Sequence, residues 1–185
     1  MALRRPTAEE LGEAKGKLLP DVIGPGLSVL FCGINPSLYS AAVGHHFARP
    51  GNRFWPALFA GGFTDRLFSP GEDRRLLEFG CGVTNMVARA TTAADELSQE
   101  ELHAGAAALQ RKVKRYRPAC VAFVGIGAYR IGFGDKKAHI GRQERMIGES
   151  GVWVLPNTSG LNANHQPRDL AKLFGELFQV VENHR

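Results

Sequence analysis

The chain lacks any run of apolar residues approaching the ~18 needed to cross a bilayer, so no membrane-spanning helix is expected. Cysteine is scarce: only Cys32, Cys81 and Cys120 occur. Their spacing matches no zinc or iron–sulfur pattern. Each falls in or beside an expected strand, where a thiol serves as a small buried hydrophobe. An odd count with no export signal fits a reducing compartment, and the expected location is the cytoplasm. The opening stretch MALRRPTAEELGEAKGKLLP carries charge throughout and has no apolar core of the signal-peptide kind. It reads instead as a helical extension over residues 1–20, with Leu11, Leu18 and Leu19 on one side after Pro6 and Thr7. Repeats and low-complexity tracts are absent. Charge of one sign is not strongly in excess either. A net charge of +5 permits an anionic partner such as nucleic acid and equally fits a solvated basic surface.

What is present describes one globular domain. At 185 residues and 44% apolar content, the chain is long enough to bury a core and short enough to be a single domain over 1–185. Four apolar, β-branched runs stand out: LSVLFC at 27–32, CGVTNMV at 81–87, ACVAFV at 119–124 and GVWVL at 151–155. Helical patterns separate them, which predicts an α/β fold with a parallel sheet between helices. Ser69, Pro70 and Glu72 form a start signal for a helix over 70–79, with Gly80 as its stop. Ser98 and Glu101 start another, whose face carries Leu102, Ala106, Leu109 and Val113. Residues 52–60 and about 168–181 read as further helices. Residues 134–149 show no clear period and read as a surface excursion with at most a short strand.

Three loops, each following a strand, compete for function. The first, at 33–53, reads GINPSLYSAAVGHHFARPGNR and is long enough to be functional if structureless. Gly33 and Pro36 break the first strand and leave Asn35 projecting at its carboxyl end, where open α/β sheets bind ligands. A local Asx turn would serve Asn35 equally well. Phe47 either anchors the loop or offers a face to a planar ring. His45 and His46 lack an acidic or thiol partner at ligand spacing, so no metal is expected. The second loop, GIGAYR at 125–130, begins like a dinucleotide fingerprint but has Arg130 at its third glycine position. It reads as a strand-to-helix turn. The third, PNTSGLNANHQP at 156–167, surrounds Leu161 with small polar residues. That residue is either a wedge of the kind pushed between stacked bases or a side chain tucked back onto the core.

Taken together, FCGINP, FARPGNRFW, CGVTNMV, ELHAG and VWVLPNTSGL are similar in order and spacing to the mismatch-specific uracil-DNA glycosylase family, the group that includes thymine-DNA glycosylase. The likeness runs from about Pro25 onward. It implies a three-layer α/β/α fold on a four-stranded parallel sheet. It also implies a monofunctional enzyme, without cofactor, that flips uracil, mainly opposite guanine, from double-stranded DNA and hydrolyses its glycosidic bond. A non-catalytic binder of mismatched or damaged DNA is the alternative. By this resemblance Asn35 is catalytic, and Asp95 is the nearest carboxylate candidate for a true base. Gly33, Ile34, Phe47 and Asn85 would meet the base. Ser40, Asn157 and Ser159 would meet phosphates, Gly160 would let the backbone press close to DNA, Leu161 would intercalate, and backbone groups of Leu161, Asn162 and Ala163 would touch the orphan guanine. A monomer without membrane attachment is expected. No lysine in these motifs is placed for Schiff-base chemistry. The chain departs from the pattern at NTSG, where relatives often carry Pro after the Asn, and at Tyr39, His45 and His46, which replace smaller or apolar residues.

Overall fold

The structure, a computed structural model, describes residues 3–183. Its strands are β1 (Val29–Gly33), β2 (Cys81–Asn85), β3 (Cys120–Val124), β4 (Gly141–Ile147) and β5 (Ser150–Leu155). They form one sheet in the order β2-β1-β3-β5-β4. The helices are α1 (Ala8–Glu13), α2 (Leu38–Val43), α3 (Phe54–Ala60), α4 (Gln99–Tyr116), α5 (Ile126–Gly132) and α6 (Pro167–Glu182).

The layers follow from the two-residue period of a strand. Val29, Phe31, Val83, Ala122, Val124 and Leu155 face one side, where they pack on Phe54 and Leu58 of α3 and on Leu170, Phe174 and Leu177 of α6. The alternate residues Leu30, Cys32, Val121, Phe123, Val152 and Val154 face the other, against Leu102, Leu109 and Val113 of α4 and Tyr129 of α5. Strands buried on both faces read as unbroken apolar runs, which is why they were visible in the sequence. Phe31 anchors the first core by meeting Phe54 and Phe63 edge-on at 5.4 and 5.2 Å. The expected helix start at Ser98 and Glu101 is present, each side chain bonded to the other's backbone N–H at 3.1 and 3.0 Å.

Four expectations require correction. The sheet has five strands, not four: β4 pairs antiparallel with β5 at the edge. Its sequence GRQERMI hid it because an edge strand protects itself with charge, and a register shift between Arg142 and Met146 breaks the alternation. Residues 70–79 form a 3₁₀ helix, in which side chains three apart share a face. That period lines up Asp73 and Leu76, both buried, with Phe79 on the core. The loop at 33–53 is not structureless, because Ser37 caps α2 by accepting from Ser40 N–H at 3.1 Å. The first helix ends at Glu13, and Gly16 turns the chain in a left-handed conformation. Leu18 and Leu19 then lie on opposite sides of an extended segment, the first 71% exposed and the second buried.

Candidate active site

The carboxyl ends of the parallel strands open into a cleft of about 660 Å³. Its walls are the residues that follow each strand: Ile34 and Asn35 after β1, Thr91 to Ala94 after β2, Gly125 and Ile126 after β3, and Pro156 and Asn157 after β5. This is the position where open α/β sheets bind ligands.

Backbone bonds lace the first two loops together. Met86 N–H donates to Gly33 O and Val87 N–H to Ile34 O, both at 2.9 Å, and Thr91 N–H donates to Pro36 O at 3.2 Å. Asn35 sits in this seam. Its Nδ2 donates to Arg89 O at 3.1 Å and to Thr91 Oγ1 at 2.7 Å. The Thr91 hydroxyl donates onward to Ala93 O at 2.7 Å and so must accept from Asn35. Both amide hydrogens are committed and the rotamer is set. Oδ1, without a hydrogen-bond partner among the described residues, is the end left for the cleft. A local Asx turn does not describe this side chain, whose partners lie more than fifty residues away.

Phe47 takes a left-handed backbone at φ 52, unusual for a bulky residue and typical of sites where the surroundings over-determine the chain. One ring face stacks on Phe54 at 4.0 Å and 15°. The ring edge lies over Gly33, where an added Cβ would stand 2.6 Å from Asn85 Oδ1 and 3.2 Å from the Phe47 ring. Glycine at 33 thus lets Asn85 and Phe47 close over the strand end. Asn85 is buried and lines the cleft. His46 is buried beside it, with Nε2 at 2.9 Å from Pro20 O and Nδ1 at 3.4 Å from Asn85 Nδ2. Burial pushes the His46 pKa below its ordinary value, which favours the neutral ring. His45 turns elsewhere, to Asp73 Oδ1 at 3.1 Å.

The third loop reaches the same cleft. Arg53 N–H donates to Thr158 O at 2.9 Å, and the Thr158 hydroxyl donates to Asn52 Oδ1 at 2.9 Å. The Arg53 guanidinium then donates to the carbonyls of His165, Ser159 and Asn162 at 2.6, 2.7 and 2.7 Å. Within the loop, Asn157 Oδ1 accepts Ser159 N–H and the Ser159 hydroxyl accepts Leu161 N–H. Gly160 packs against the carbonyl of Gly51. On this braced turn Leu161 stands 79% exposed at the cleft, and it does not tuck onto the core.

The cleft therefore brings together Ile34, Asn35, Ser40, Phe47, Asn85, Asn157, Ser159, Leu161 and Asn162. Gly33 lies beneath it, and Gly160 and the exposed Ala163 belong to the loop without lining the cleft. Ser40 is 3% exposed and its hydroxyl accepts Ala48 N–H at 3.0 Å, which ties it to the Phe47 loop and not outward to a phosphate. Asp95 is exposed on the short turn Ala94–Glu96. Its neighbours Ala93 and Ala94 line the cleft, while Asp95 itself does not. Sequence reasoning missed Thr91, Arg53 and the pairing of His46 with Asn85. Thr91 and Arg53 act through partners far along the chain, and no local pattern marks them.

A family model described as the uracil DNA glycosylase superfamily matches residues 20–179. The match spans the sheet, the cleft and all three loops, and the chain belongs to the uracil DNA glycosylase superfamily.

Proposed function

We propose that the protein is a monofunctional DNA glycosylase that flips uracil, mainly from opposite guanine in duplex DNA, and hydrolyses its N-glycosidic bond to initiate base excision repair. The observation that carries this reading is the shared cleft, which has the fixed amide of Asn35 in its floor and the exposed Leu161 at its rim.

A glycosidic bond inside a base stack is out of reach, so the nucleotide has to leave the helix. A G·U mismatch opens at lower cost than a Watson–Crick pair. Leu161 fills the space behind the flipped nucleotide, as apolar wedges do between base steps. The base enters the cleft, stacks on the free face of Phe47 and meets Asn85. Asn35 Oδ1 accepts a hydrogen bond from a water and aims its oxygen at the anomeric carbon. An amide is a poor base, so the C–N bond breaks first and its electron pair leaves with the uracil anion. The oxocarbenium-like sugar is then captured by the oriented water, whose proton passes to the departed uracil anion. Backbone N–H groups near Ile34 and Phe47 stabilise the charge on the departing base. Asn157, Ser159 and Arg49 at the rim contact phosphates and set the register.

The test is a panel of duplex oligonucleotides, each with one altered base, scored for abasic sites. Asn35→Ala should lower uracil release by roughly a hundredfold or more while leaving duplex binding largely intact. Undiminished release would transfer the chemistry to Asp95 or another base. No release from any altered base by the native protein would make it a binder.

A further inference from the structure

The segment ahead of β1 touches both amides of the cleft at one remove. We infer that residues 14–22 are a positioning arm, holding Asn35 and Asn85 by two separate hydrogen-bonded paths; the inference rests on the glycosylase reading above.

The first path runs through residues 88–90. Gly16 N–H donates to Ala90 O at 3.0 Å, Ala90 N–H to Lys17 O at 2.9 Å, and Leu19 N–H to Ala88 O at 3.4 Å. Leu18 stands opposite Arg89 in this antiparallel pairing. Successive peptide groups in such a ladder face opposite ways. Ala88 and Ala90 face the arm, so the carbonyl of Arg89 between them faces away, to receive Asn35 Nδ2 at 3.1 Å. Thr91, the next residue, supplies the other acceptor. The arm thus holds the backbone that holds the catalytic amide.

The second path runs through His46. The Pro20 carbonyl can only accept, so the nitrogen 2.9 Å from it, Nε2, carries the proton. In the neutral ring Nδ1 is bare and accepts Asn85 Nδ2 at 3.4 Å, which turns Asn85 Oδ1 toward Gly33. Pro20 is itself pinned from the far side. Val22 exchanges two backbone bonds with Val83 at 2.9 and 2.8 Å. Asp21 accepts the Thr84 hydroxyl at 2.6 Å and pairs with Lys112 Nζ at 2.5 Å. Neither Asp21 nor Gly16 lines the cleft. The charged or titratable groups around His46 are Asp73, Asp21 and His45, and Asp73 Oδ2 also accepts the His46 backbone N–H at 3.1 Å. If the Pro20 carbonyl is released, Nε2 loses the acceptor that fixes its proton, and the neutral ring is free to carry that proton on Nδ1 instead. The Asn85 amide must then turn around so that its Oδ1 accepts from Nδ1.

The experiment uses full-length Asp21→Ala and Gly16→Val. Uracil release at saturating enzyme, duplex binding, thermal unfolding and the His46 ring tautomer by NMR are measured over about pH 5.5 to 8.5. Asp21→Ala should move the His46 ring proton from Nε2 to Nδ1 and slow uracil release by roughly tenfold across that range. Asp21→Asn, which still accepts from Thr84, should restore most of the native tautomer and release rate. Gly16 has φ 76, which a β-branched residue adopts poorly. Gly16→Val should slow release by roughly tenfold, expose the Ala90 amide to hydrogen exchange, and leave binding and the His46 tautomer unchanged. Should Asp21→Ala fail to fold, Asp21→Asn and Gly16→Val decide the question. Native release rates, His46 tautomer and Ala90 exchange in variants that merely melt earlier would overturn the inference. If the native chain releases no uracil, the glycosylase reading fails, while the tautomer and the exchange still test the two paths.

Discussion

Arg53→Ala should free the loop that carries Leu161. In the native chain one guanidinium holds the carbonyls of Ser159, Asn162 and His165 at 2.6 to 2.7 Å. A hydrogen bond involving a charged group contributes about 1.5 kcal/mol at the lower end of its range, or about 4.5 kcal/mol for three. The loop is largely exposed, and water replaces part of what is lost, so about 2 kcal/mol is expected. In a chain of this size each kcal/mol moves the melting temperature by about 2–4 °C, which predicts a fall of about 4–8 °C. Part of the loss is local opening, seen as faster hydrogen exchange at Asn162, whose N–H donates to Ser159 O at 2.9 Å. On the proposed glycosylase reading function should change in step, because an unbraced turn would not present Leu161 to the duplex as a rigid wedge. Release of the abasic product should quicken more than the chemical step slows. Arg53→Lys, a point charge that cannot fork, should fall between. Calorimetry, hydrogen exchange and product dissociation from a labelled duplex provide the assays. An unchanged melting temperature together with native product retention in Arg53→Ala would refute the clamp.

Leu161→Ala removes an exposed side chain, so stability should change by no more than about 0.5 kcal/mol, while retention on a mismatched duplex weakens; thermal unfolding and dissociation kinetics check both. Gly33→Ala places a Cβ 2.6 Å from Asn85 Oδ1. Crowding of this kind should cost about 1–3 kcal/mol in urea unfolding and slow uracil release by displacing Asn85. Because burial holds the His46 pKa below its ordinary value, the unfolded chain takes up a proton there that the folded chain refuses. Its contribution is complete above about pH 6.5 and is lost as pH falls below that. Urea unfolding across this range should show the slope, and His46→Gln should remove its share.

The amino-acid sequence by itself determined what depends on neighbours in the chain. The alternation that sends Phe31 to one core and Leu30 to the other is a two-residue period. The cap at Ser98 and Glu101 needs three intervening peptide bonds and nothing more. Asn35, two residues beyond strand β1 and just before Pro36, was recognisable as an end-of-strand amide. Where the period was broken or replaced, local reading failed: charge and a register shift obscured β4, and a spacing of three made 70–79 a 3₁₀ helix. Only the tertiary structure decided where the amide points. Its orientation comes from Arg89 and Thr91, and the loop of Leu161 is braced by Arg53 from a hundred residues away. The physical reason is the strand order β2-β1-β3-β5, which sets side by side the loops after β1 and β2 and carries the loop after β5 across to Arg53. Such an order follows from how whole faces are buried, and no short stretch of sequence contains it.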